Sequence, residues 1–126
     1  MDPLFIIAII FHVLPAVFWA GATFVVARGE SQLAAKLFGP QMGAAAVTVI
    51  AGAILWFTVY GASSGSPLLG FGAVCAIIAA GVQGVMVGRN RSGVLAGEPK
   101  ALAAALLGNR IAALLLALAV VTMIIG

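Results

Sequence analysis

Residues 4–27 read LFIIAIIFHVLPAVFWAGATFVVA and contain no Asp, Glu, Lys or Arg. As an α-helix this run is about 36 Å long at about 1.5 Å per residue, which exceeds the hydrocarbon core of a bilayer, about 30 Å thick. Backbone groups in lipid have to pair within the chain, and the run shows no alternating strand pattern. The residues before it include Asp2 and no basic side chain, unlike a signal peptide. The run therefore predicts a first membrane span that is retained in the mature protein.

Three further apolar runs follow the first one, at residues 41–60, 68–88 and 101–125. The chain has 126 residues, of which 64% are hydrophobic and 7% charged, whereas about a quarter of a typical soluble domain is charged. Its mean hydropathy is +1.27. These values predict one all-α domain, an antiparallel four-helix transmembrane bundle whose surroundings are the lipid bilayer.

Basic residues in the connections predict the orientation of the bundle. The first connection holds Arg28 and Lys36, and the third holds Arg89, Arg91 and Lys100, whereas the second, GASSGSP, is uncharged. Loops rich in Lys and Arg stay on the cytoplasmic side. We therefore expect both termini and the second connection to lie outside. The net charge of +3 is explained by anionic lipid at these loops, and no soluble module that could bind nucleic acid is present.

Prolines predict two irregularities in the helices. Residues 30–38 are expected to form a brief interfacial helix, which Gly39-Pro40 ends before the second span. Pro15 has no N–H to donate to the carbonyl of Phe11, which predicts a kink in the first span.

The only histidine, His12, shares a helical face with Trp19 and Thr23, because residues seven and eleven apart nearly eclipse one another on a helix. This face is more polar and more aromatic than the rest of the span, so we expect it to point at the other helices. A neutral imidazole is the expected form there, since a low dielectric disfavours the charged one. Its free ring nitrogen can bind haem iron, copper or zinc. The alternative is a histidine that only hydrogen-bonds to a neighbouring helix.

Two sulfur-containing side chains in the third run are candidate second ligands. Cys75 lies at nearly the same expected depth as His12, and Met86 shares its helical face. Histidine with cysteine or methionine suits a soft ion such as Cu(I), but one histidine and one cysteine do not complete a four-ligand zinc site. A buried cysteine otherwise behaves as a small hydrophobe.

Arg110 lies within the fourth run, toward the same side as Gln83 and Asn109. All three acidic residues fall outside the predicted spans, so an anionic ligand, a haem propionate or a lipid phosphate could pair with its guanidinium. In the alternative interpretation, residues 101–107 lie along the interface, the span begins near residue 108, and Arg110 reaches the headgroups.

Two stretches carry a resemblance to a known family. FHVLPAVFWAGATFVVAR, at residues 11–28, has a His-x6-Trp-x-Gly spacing closed by a basic residue, and LLGNRIAALLLALAVVTMIIG, at residues 106–126, places Asn and Arg before a long Leu/Ala run. With the four-span layout, these motifs resemble small CopD-like bacterial membrane proteins. The resemblance implies a copper-handling role and a place in the bacterial inner (cytoplasmic) membrane. The related HemJ-type protoporphyrinogen oxidases bind haem through a first-span histidine, and His12 is the position that carries over.

The chain departs from both relatives in specific ways. The HemJ-type pattern includes a lysine in a later span, whereas Lys36 and Lys100 fall in connections. Longer copper-resistance proteins have additional spans and ligands that have no counterpart in these residues. Whether the chain is an enzyme therefore stays open.

Two functions fit the sequence. In the first, the bundle binds haem b or a copper ion through His12, with Met86 or Cys75 as a second ligand and Trp19 or Phe18 packed against a macrocycle. Two copies in a homo-oligomer could each supply a histidine. In the second, the chain is an accessory or structural subunit of a larger membrane complex and has no cofactor of its own. A small multidrug transporter is disfavoured, because proton-coupled export needs a membrane carboxylate and none lies within a predicted span.

Overall fold

The computed structural model describes residues 2–60 and 66–126, and within them it contains helices and no strand. The predicted uncharged connection lies mostly outside these residues. In chain order, the α-helices are α1 (Pro3–Ala27), α2 (Ala34–Tyr60), α3 (Pro67–Met86), α4 (Arg91–Leu95) and α5 (Pro99–Ile125), with a 3₁₀ turn at Ser31–Leu33.

Four of these helices, α1, α2, α3 and α5, are long and apolar enough to cross a membrane. Each run of the sequence forms a single helix because lipid offers no other partner to its backbone N–H and C=O groups. Proline occupies the first turn of α1, α3 and α5, where a missing N–H costs nothing. The chain is therefore a multi-pass membrane protein, and the predicted all-α four-helix bundle is confirmed.

The four long helices pack as two close pairs. α3 packs most extensively against α5 and α1 against α2, while α1 also contacts α5. The core between them is built largely from alanine, together with Trp19, Cys75 and Leu116. A Cβ added at Gly108 would lie 2.8 Å from Cβ of Met86, and one added at Gly72 would overlap Oγ1 of Thr122. Small residues thus let the backbones of α3 and α5 approach closely, as is typical of membrane helices.

A second core joins the helix ends that carry the basic residues. Its buried members come from the end of α1, the start of α2, the residue after α3, α4 and the start of α5: Val26, Ala34, Ala35, Val87, Val94, Ala101 and Ala105. All of the charged connections therefore meet at one end of the bundle, which we call the basic end.

The predicted helix break at Gly39-Pro40 is wrong, because α2 runs without interruption from Ala34 to Tyr60. Pro40 removes one hydrogen bond, the one to the carbonyl of Lys36. Buried side chains on both sides of it, Ala35 and Gln41, hold the two parts of α2 against the rest of the bundle. Tertiary packing therefore outweighs the local preference of proline. α1 likewise continues as a helix through Pro15.

Candidate functional site

A cluster of buried polar side chains lies between the four long helices, near the basic end. Trp19 and Thr23 come from α1, Gln41 from α2, Gln83 from α3 and Asn109 from α5, and each is at most 1% exposed. We call these five residues the polar network. The predicted inward orientation of Trp19 and Thr23 is confirmed by their burial.

Hydrogen bonds connect the polar network across all four helices. Nε1 of Trp19 donates to Oε1 of Gln83 at 2.6 Å. Nε2 of Gln83 donates to Oγ1 of Thr23 at 2.9 Å and to Oδ1 of Asn109 at 3.1 Å. Nε2 of Gln41 donates to the same two oxygens, at 3.2 and 3.3 Å. Thr23 and Asn109 therefore each bridge two glutamines.

The polar network is also attached to the backbone. Oγ1 of Thr23 donates to the carbonyl of Trp19 at 2.7 Å, and Nδ2 of Asn109 donates to the carbonyl of Ala105 at 2.9 Å. Its members are amide, hydroxyl and indole groups, which carry no charge. Its physical effect is to fix the register of the four helices, since a shifted helix would leave buried donors unpaired.

Sequence reasoning did not assemble the polar network. The sequence predicts an inward-facing Thr23 and puts Gln83 and Asn109 toward one side, whereas Gln41 is only the first residue of the second apolar run. The signal in the sequence is a set of isolated polar residues within the apolar runs, each between five and nine residues from a basic residue of a connection.

His12 lies half-buried between α1 and α2. Its Nδ1 is 2.8 Å from the carbonyl oxygen of Thr48. A carbonyl only accepts, so Nδ1 carries the hydrogen, and a neutral ring then presents a lone pair at Nε2. Nε2 has no hydrogen bond within the described residues. This is the arrangement that orients metal-ligating histidines, in which the second nitrogen is held by a backbone carbonyl.

Gly52 makes room for the imidazole on α2. A Cβ at this position would lie 2.9 Å from Cε1 and 3.1 Å from Nδ1 of His12. The neighbouring Oγ1 of Thr48 is buried and has no hydrogen-bond partner in the described part of the chain. One turn from His12, an apolar cavity of about 270 Å³ opens between α1 and α2, lined by residues that include Ala8, Phe11 and Ala51.

The other candidate ligands are distributed along the bundle. Cys75 is a free cysteine, 4% exposed, in the central core with Trp19. Met86 ends α3 at the basic end, against Gly108, about 16 Å along the helix from Cys75. No group of three or more His, Cys, Asp or Glu side chains converges among residues 2–60 and 66–126. The structure therefore places His12, Cys75 and Met86 in three separate surroundings.

Phe18 and Trp19, the candidates for packing against a macrocycle, point in different directions. Phe18 is 45% exposed on the outer face of α1, whereas Trp19 is buried in the polar network.

Arg110 is exposed, and its Nε donates to the carbonyl of Ala27 at the end of α1, at 3.0 Å. Residues 101–107 belong to the continuous helix α5, and Ala101 and Ala105 are buried in the second core. α5 therefore has no break between residues 101–107 and the rest of the helix. That these residues lie at the interface and that Arg110 reaches the headgroups stay predictions.

Comparison of the chain with protein-family profiles, with curated proteins and with solved structures finds no match. The likeness to CopD-like proteins therefore rests on the two motifs and the layout of spans.

Proposed function

We propose that the chain is a bacterial inner-membrane protein that binds haem b or a copper ion through Nε2 of His12. The observation that supports this most directly is the hydrogen bond from Nδ1 of His12 to the carbonyl of Thr48. It selects the tautomer with a lone pair on Nε2 and fixes the plane of the ring. The CopD-like motifs point to the same residue.

Of the two cofactors, haem b fits the distribution of ligands better. Haem iron needs one or two axial ligands from the protein, and the chain offers one histidine. A copper site built from side chains needs several ligands that meet, and the described residues bring no such group together. A second copy of the chain, related by a two-fold axis, would supply a second His12.

The neighbourhood of His12 leaves space for such a partner. Of the four spanning helices, α1 has the smallest fraction of buried residues, 11% over its most apolar stretch of 18 residues. An apolar cavity about one turn from His12, lined by residues of α1 and α2 but not by the imidazole itself, opens on the outside of the bundle. An apolar macrocycle held there would contact aliphatic side chains of these helices and of the second copy.

The test uses the full chain purified in mild detergent, with its absorption spectrum and its metal content measured. We expect a Soret band or bound copper in the wild type, and its loss in His12→Ala. Gly52→Ala should reduce occupancy several-fold, because the added Cβ would lie 2.9 Å from Cε1 of His12 and displace the ring. Gly43→Ala is the matched control on α2, since nothing lies within 4 Å of its added Cβ.

A colourless, metal-free wild-type protein that takes up neither haemin nor copper on addition would refute the proposal. Equal spectra for the wild type and His12→Ala would refute the role of His12.

The second candidate function is an accessory subunit of a larger membrane complex. The polar network favours it, because its neutral groups bond to one another and tie the four helices together, as expected of a rigid scaffold. Isolation from native membranes in mild detergent distinguishes the two: co-migration with a larger assembly supports the accessory role, and a lone homo-oligomer counts against it.

A further inference from the structure

Arg110 is fixed at the end of α1 although it belongs to α5. It follows the buried Asn109, and its exposed side chain turns along the outside of the bundle so that Nε bonds to the carbonyl of Ala27 at 3.0 Å. Carbonyls in the last turn of a helix lack an intrahelical donor and carry the negative end of the helix dipole. This hydrogen bond therefore determines where the guanidinium lies.

Most of the hydrogen-bonding capacity of Arg110 remains unused. A guanidinium has five N–H donors, and the four on the Nη nitrogens have no partner within residues 2–60 and 66–126. Arg28 follows Ala27 directly and is exposed, so the chain carries a second basic residue next to the carbonyl that Arg110 contacts. The nearest acid along the chain, Glu30, accepts a hydrogen bond from Gln32 at 2.7 Å. The end of α1 therefore carries two basic residues, and neither has an acidic partner among residues 2–60 and 66–126.

The level of this site matches that of lipid phosphates. α1 contains 25 residues and is therefore about 37 Å long, a little more than the hydrocarbon thickness of about 30 Å. Its last turn reaches the headgroups when its first turn lies at the opposite surface. Arginines near helix ends extend their side chains to this level.

Apolar side chains surround the two arginines on the outer surface. Phe24 lies one turn before Arg28 on α1, and Leu114 lies one turn after Arg110 on α5, so both are on the membrane side of the arginines. They are 44% and 70% exposed, respectively. A lipid acyl chain can pack against these exposed apolar side chains, whereas a free phosphate ion would contact only the arginines.

We propose that Arg110 and Arg28 bind the phosphate of an anionic phospholipid in the groove between α1 and α5 at the basic end. Guanidinium groups match phosphate oxygens with paired, charge-assisted hydrogen bonds. The lipid holds the end of α1 against the middle of α5 on the side that faces the bilayer. This site is separate from His12, which lies between α1 and α2 toward the other end.

Native mass spectrometry of the delipidated full chain in mild detergent tests the site. The probes are phosphatidylglycerol, phosphatidylcholine and inorganic phosphate. In Arg110→Gln the new amide can still donate to the carbonyl of Ala27 while the charge is lost. Lys100→Gln is the matched control, because Lys100 is exposed in the first turn of α5, about 15 Å along the helix from Arg110, and its substitution changes the net charge equally.

We expect phosphatidylglycerol to bind the wild type more tightly than phosphatidylcholine does, and Arg110→Gln to weaken it about fivefold, the equivalent of about 1 kcal/mol per basic side chain near a membrane surface. Lys100→Gln should bind like the wild type. If Arg110→Gln does not fold, Arg28→Gln is expected to show the same loss. Equal affinity for both lipids, equal weakening by Arg110→Gln and Lys100→Gln, or displacement of the lipid by inorganic phosphate would each overturn the proposal.

Discussion

The polar network makes Gln83→Leu an informative test of what holds the four helices in register. Leucine is close to glutamine in volume, so the substitution removes hydrogen bonds with little change in packing. Gln83 takes part in three of them, with Trp19, Thr23 and Asn109. Thr23 and Asn109 keep a donor, because Nε2 of Gln41 bonds to both. Only the indole N–H of Trp19 loses its partner.

The magnitude follows from these contacts. Hydrogen bonds between membrane helices contribute about 0.6 kcal/mol each, so three of them amount to about 2 kcal/mol. An orphaned buried donor adds about 1 to 3 kcal/mol. We expect Gln83→Leu to lower the free energy of unfolding by about 3 to 5 kcal/mol on these figures. Gln41→Leu removes two bonds and leaves Thr23 and Asn109 with Gln83, so its loss should be about 1 kcal/mol.

The assay is unfolding by SDS in mixed micelles, followed by far-ultraviolet circular dichroism. In a Trp19→Phe background the indole donor is absent, so Gln83→Leu should cost less than in the wild type, and the difference measures the orphaned N–H. The reasoning is refuted if Gln83→Leu is as stable as the wild type. It is also refuted if Gln83→Leu and Gln41→Leu are equally destabilised, because the structure gives them different numbers of contacts.

Two further outcomes test the close packing of the bundle. Gly72→Ala should destabilise the protein in the same SDS titration, because its Cβ would overlap Oγ1 of Thr122. Gly81→Ala on the same helix should change little, since its added Cβ meets nothing within 4 Å. Similar midpoints for the two variants would contradict the close approach of α3 and α5. Cys75 is 4% exposed, so a maleimide should label it slowly in mild detergent and rapidly in SDS as judged by intact mass, and fast labelling of the folded protein would place it outside the core.

Only part of the candidate site can be predicted from the sequence. The lone imidazole in an apolar run and its alignment with Trp19 and Thr23 follow from helical spacing. The carbonyl of Thr48 that orients His12 and the glycine that admits it, Gly52, do not, because any residue has a carbonyl and glycine is frequent in this sequence. At Gly39-Pro40 the sequence predicts a helix break that does not occur, because buried side chains on both sides of Pro40 hold α2 against the bundle.

The sequence by itself determined that the chain forms four membrane helices and that its charged connections lie at one end of the bundle. Long apolar runs leave backbone groups no partner except their own helix, and short connections force neighbouring helices to run antiparallel. Tertiary structure alone decided which polar side chains meet. Trp19 bonds to a residue 64 positions away and Gln41 to one 68 positions away. Such pairs depend on the rotation and depth at which whole helices pack, and these are set by the sum of many small alanine and glycine contacts that no local pattern records.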